Sequence, residues 1–68
     1  MDLLWEEGFM ISVGTDRNTV VIRANREGLL SLANHMISHA EEAPGSHIHL
    51  DENNSLEESS AELIIEKE

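Results

Sequence analysis

Phe9, Ile11 and Val13 alternate with Met10 and Ser12, and Val20, Ile22 and Ala24 alternate with Val21 and Arg23. A period of two places each set on one face of an extended chain, so Phe9 to Val13 and Thr19 to Ala24 are predicted as strands. The turn formers Gly14-Thr15-Asp16-Arg17-Asn18 between them join the pair as a hairpin. After Asn25 the period changes. Asn25 is suited to accept hydrogen bonds from the first free amides of a helix, with Glu27 in the first turn. Leu29, Leu30, Leu32, Ala33, Met36, Ile37 and Ala40 then recur at helical spacing opposite Ser31, Asn34 and Ser38, which predicts a core-directed apolar stripe. Ala43-Pro44-Gly45 ends the helix. Ser46 to Leu50 alternates again, and Glu62 to Glu66 is a short apolar run edged by acids, so both are predicted as strands.

The expected architecture is α+β in ββαββ order: a single-layer sheet of about four strands with one helix packed on one face. If Ile48, Leu50, Leu63 and Ile65 face the helix, the period of two sends His47, His49 and Ile64 to the other face, with Met10 and Val21. That face has nothing left to cover it and is expected to be a contact surface. With 68 residues, residues 1–68 make one domain, and such a chain buries only about 60% of the surface it exposes when unfolded. There is no cysteine, so packing must hold the fold without disulfides or thiolate metal sites. Trp5 is expected to plug one end of the core.

Charge narrows the partners. Fourteen acids against four bases give a formal net charge of -10, which repels nucleic acid and anionic lipid surfaces. Residues 41–68 hold nine of the acids and one base, Lys67, so the negative field belongs to the C-terminal part. No run approaches the roughly 20 apolar residues of a membrane span, and the N-terminus lacks a basic leader region, so a cytoplasmic protein is expected.

The candidate chemistry is thin. His35 and His39 lie one helical turn apart, and His47 and His49 share a strand face, but the two pairs are expected not to converge on one metal ion. Asp51, Asn53, Ser55, Ser59 and Glu62 copy the spacing of a calcium loop, yet the sixth position, which needs glycine, is Leu56. No nucleophile elbow, phosphate-binding glycine loop or metallohydrolase motif is present. Neither catalysis nor a cofactor is expected.

Asn25-Arg26-Glu27-Gly28-Leu29-Leu30-Ser31-Leu32-Ala33-Asn34-His35-Met36 followed by Gly45-Ser46-His47-Ile48-His49-Leu50-Asp51-Glu52, with Ser55-Leu56-Glu57 and Glu62-Leu63-Ile64-Ile65-Glu66, resembles the bacterial immunity protein 32 family. The resemblance covers residues 25–66. It implies a protein that neutralises a cognate toxin of a polymorphic toxin system. In the pattern of that family a glycine commonly precedes the serine near position 60; here the pair is Ser59-Ser60, which predicts a different turn. On this reading Asp51, Glu52, Glu57 and Glu58 steer a basic toxin surface, while His47, His49 and Ile64 supply the contact. The alternative is a small homodimeric interaction module whose open sheet face is buried against its own copy.

Overall fold

The hairpin turns later than its glycine suggests. β1 (Ile11–Asp16) pairs antiparallel with β2 (Thr19–Ala24), and Asp16 opposes Thr19, so Gly14, Thr15 and Asp16 belong to the strand. Arg17-Asn18 alone makes the turn, with Arg17 in the left-handed region that such short connections demand (φ 58°). The register places Ile11 and Val13 on one face with Ala24 and Ile22, as the alternation requires. The computed structural model describes residues 5–68. The expectation about a leader rests partly on residues 1–4 and falls outside them.

Asn25 starts the helix α1 (Arg26–Ala40) and also anchors the segment before β1. Its side-chain oxygen accepts from the amides of Gly28 (2.8 Å) and Met10 (3.0 Å), and its amide donates to the Gly8 carbonyl (3.0 Å). At the other end, Lys67 Nζ donates to the Ala40 carbonyl at 2.8 Å, placing a cation on the negative pole of the helix. β3 (His47–Leu50) and β4 (Leu63–Glu66) complete the chain.

The face that α1 buries is not the one its leucines predict. Gly28, Ser31, Leu32, His35 and His39 are buried, whereas Leu29, Leu30, Ala33, Met36, Ile37 and Ala40 are exposed. Of the predicted stripe, only Leu32 enters the core. Close approach decides the rotation. A Cβ at Gly28 would overlap the Met10 carbonyl, the Ile11 side chain and the Ala24 methyl, so the helix rests where only glycine fits. Ser31 Oγ accepts from the Glu6 amide and donates to the Glu27 carbonyl, both at 2.8 Å, which makes its burial inexpensive. His35 meets the Trp5 ring edge to face (4.1 Å, 87°), and Trp5 stacks on Phe9 (4.5 Å, 26°). Trp5 therefore closes one end of the core as expected, and the helix histidines are buried.

The expected single sheet does not form. β3 and β4 pair antiparallel, from His47 opposite Glu66 to Leu50 opposite Leu63, as a second two-stranded sheet. The segment joining them runs along the free edge of β1 instead of leaving that edge for another strand. Glu57 N–H donates to the Ile11 carbonyl (2.8 Å), Ala61 N–H to the Val13 carbonyl (2.7 Å), and Val13 N–H to Ser60 Oγ (3.2 Å). A loop thus satisfies the edge groups that would otherwise seek a strand. Its one large apolar side chain, Leu56, is 5% exposed and joins Ile11, Val13, Leu32, Ile48 and Leu50 in the core. Leu63 and Ile65 pack against that cluster, as their alternation predicts.

Ser59 holds φ at 70°, a left-handed conformation that glycine adopts freely and serine does not. Serine thus stands here in a backbone conformation that suits glycine. Its backbone N–H donates to Glu52 Oε2 at 2.9 Å, a bond that does not depend on the side chain. Ser59→Gly is expected to stabilise the fold by about 0.5–1 kcal/mol, because relief of strain outweighs the entropy of an added glycine. Thermal melting checks this, and an unchanged or lower midpoint speaks against strain at Ser59.

Candidate functional site

The pairing of β3 with β4 builds the site. With Ile48, Leu50, Leu63 and Ile65 turned toward the core, the His47–Glu66 and His49–Ile64 pairs point outward, and all four of these residues are exposed or nearly so. Asp51 and Glu62 extend the same outward series beyond the last pair. His49 Nε2 lies 2.8 Å from Glu62 Oε2 and 3.5 Å from Asp51 Oδ2. One imidazole thus bridges two carboxylates at the mouth of the loop. The three ligand atoms lie within 4.8 Å of one another, a mixed nitrogen and oxygen set with the chemistry to hold a divalent cation at the surface.

Asp51 also shapes the acidic loop. Its carbonyl accepts from the amides of Asn54 (3.2 Å), Ser55 (3.1 Å) and Leu56 (2.9 Å). Its Oδ1 accepts from Asn53 N–H (2.9 Å), and its own N–H donates to Asn54 Oδ1 (3.0 Å). Asn54 in turn donates to the His49 carbonyl at 3.1 Å. These bonds wind residues 51–56 into a tight local turn that delivers Leu56 to the core. The calcium-loop spacing is thus used for a different end, since the position that would need glycine is the buried anchor.

The expected contact residues fall into three places. His47, His49 and Ile64 share the outer face of the second sheet, and Asp51 joins them through His49. Glu52 and Glu58 border one shallow depression with Asn53. Glu57 borders a separate cleft with Met10, Ser12 and Arg23. Met10 and Val21 are exposed but belong to the hairpin part of the molecule, so the open face is divided rather than continuous. Among the described residues, no helix is long and apolar enough to cross a membrane.

The family model for immunity protein 32 matches residues 19–68, from β2 through the end of β4. The chain belongs to the immunity protein 32 family. No curated protein and no solved structure matches it. The match takes in α1, the acidic loop and every residue of the outward histidine face of this immunity protein, leaving β1, the segment before it and the Arg17-Asn18 turn outside. Membership carries a toxin as the general class of partner, and immunity proteins generally act without catalysis.

Two features of the immunity protein lie outside the expected site residues. Glu62 belongs with His49 and Asp51, and the period of two that turns Ile64 outward would have placed it there. The exposed apolar arc of α1 carried no such signal, because an amphipathic stripe ordinarily reads as the buried side.

Proposed function

We propose that this immunity protein neutralises its toxin by binding it and occluding its active site. In this reading, the acidic loop steers a basic toxin surface, and the outer face of β3 and β4 makes the desolvated contact. The observation that carries the reading is the convergence of His49, Asp51 and Glu62 beside exposed His47 and Ile64, with Glu52, Glu57 and Glu58 on the adjoining loop. A concentration of carboxylates along one segment speeds encounter with a basic partner and gives the complex a salt-dependent on-rate. Exposed Ile64 and the imidazoles offer area that can be desolvated once the partner has arrived.

The toxin is sought as the product of the neighbouring upstream reading frame, scored by rescue of growth and by co-purification. With that toxin, Asp51→Asn, Glu52→Gln, Glu57→Gln and Glu58→Gln together keep the acceptor oxygens that hold the loop while removing four charges. The combined variant is expected to associate about 10-fold or more slowly at low salt and to lose most of its salt dependence. An unchanged association rate at low salt removes the steering role.

A further inference from the structure

We propose that the exposed arc of α1 is a self-association surface on which a second copy of this chain packs, with the two helices antiparallel about a two-fold axis at Ala33. Leu29 is 56% exposed, Met36 46% and Ile37 69%. They are joined on the same side by Leu30, Ala33 and Ala40. From Gly28 to Ala40 the helix carries no Asp, Glu, Lys or Arg, although the chain as a whole is strongly acidic. An arc of this kind does not suit the basic partner that the loop attracts, and the net charge repels an anionic lipid surface. A second copy brings the same uncharged arc.

The residue spacing makes the arc complementary to itself. Arg26, Ala33 and Ala40 are seven residues apart and so lie along one line of the helix, with Leu29 and Met36 on one side and Leu30 and Ile37 on the other. Ala33 is the midpoint of α1. In an antiparallel pair centred there, the two alanines let the helices approach closely, and the larger side chains of each copy fall into the gaps of the other. The ends match in charge as well. Arg26 pairs with its own Glu27 at 3.3 Å but keeps its side chain 78% exposed, so it can also reach over Ala40 and Glu41 of the other copy, and opposed helix dipoles are favourable. A two-fold contact satisfies all of these at once. Four helical turns offer less than the roughly 800 Å² per partner of a standard interface, so the dimer is expected in the micromolar range.

The test is sedimentation of the full chain from roughly 5 to 500 µM, at low and high salt. The expected result is a monomer–dimer equilibrium that tightens several-fold as salt rises, since screening removes repulsion between two acidic chains and salt does not weaken apolar contact. Ala33→Glu puts a charge on the axis of an exposed helix position and should weaken the dimer by about 30-fold or more while leaving helix content, and the melting temperature at a concentration where both chains are monomeric, nearly unchanged. Arg26→Glu should weaken it less, and adding Glu41→Arg should restore it. A chain that stays monomeric throughout overturns the proposal and leaves the arc to a heterologous partner. A dimer indifferent to Ala33→Glu, or unrestored by the charge exchange, overturns it too. No toxin enters the measurement, so its failure leaves the steering proposal standing.

Discussion

Replacing Gly28 with alanine is expected to lower the melting temperature by about 8–16 °C, given about 2 kcal/mol of net destabilisation in a domain of this size. Alanine favours a helix interior over glycine by up to about 1 kcal/mol, so on local grounds the change should stabilise. Packing reverses the sign. The added Cβ would meet the Met10 carbonyl, the Ile11 side chain and the Ala24 methyl. The carbonyl cannot turn away freely, because it accepts from Asn25 N–H at 3.1 Å. Either α1 lifts from the hairpin or the start of β1 shifts, and both disturb Ile11, which is fully buried. Gly14→Ala is the control: it meets nothing within 4 Å, and its melting temperature should stay within a few degrees of the parent. A Gly28→Ala protein as stable as the parent would show that the helix does not depend on this contact for its position.

This contact also explains which parts of the fold were legible beforehand. Period-two alternation gave the facing of Ile11, Val13, Ile48, Leu50, Leu63 and Ile65 correctly, because strand side chains have only two directions to choose between. Asn25 gave the helix start for the same local reason: its side chain meets amides a few residues away. A helix can turn continuously about its axis, so a leucine stripe alone does not fix which side is buried. The neighbours decide instead, through the space that Gly28 leaves, the internal hydrogen bonds of Ser31 and the aromatic cover over His35. None of these is visible before the chain is folded. The loop misleads in a related way. Ten polar and acidic residues surround one leucine, which reads as a solvated connection, yet the loop hydrogen-bonds to β1 and divides the expected sheet in two. Within the site, the outward histidine face was legible and so was the side on which Glu62 lies, but its contact with His49 depends on the register between β3 and β4, which neither strand fixes alone.

Leu56 joins the stability of the fold to the proposed site, and Leu56→Ala should affect both in separable ways. Truncating this buried side chain is expected to cost about 3 kcal/mol, the transfer of the lost methyl groups plus the cavity left among Ile11, Val13, Leu32, Ile48 and Leu50. In a chain this short, that corresponds to a fall of about 12–24 °C in melting temperature. Leu56→Met keeps the volume and should cost less than about 1.5 kcal/mol. Below the melting range the alanine variant retains Asp51, Glu52, Glu57 and Glu58, so the long-range field that governs encounter is preserved. The anchor that orders those side chains is weakened, along with the Glu57–Ile11 bond beside it. Toxin association should therefore change by less than about 3-fold, while dissociation speeds up by about 10-fold or more, because steering depends on net charge and short-range fit depends on order. If dissociation is unaffected in a variant that melts this much earlier, the loop does not touch the toxin and acts only from a distance.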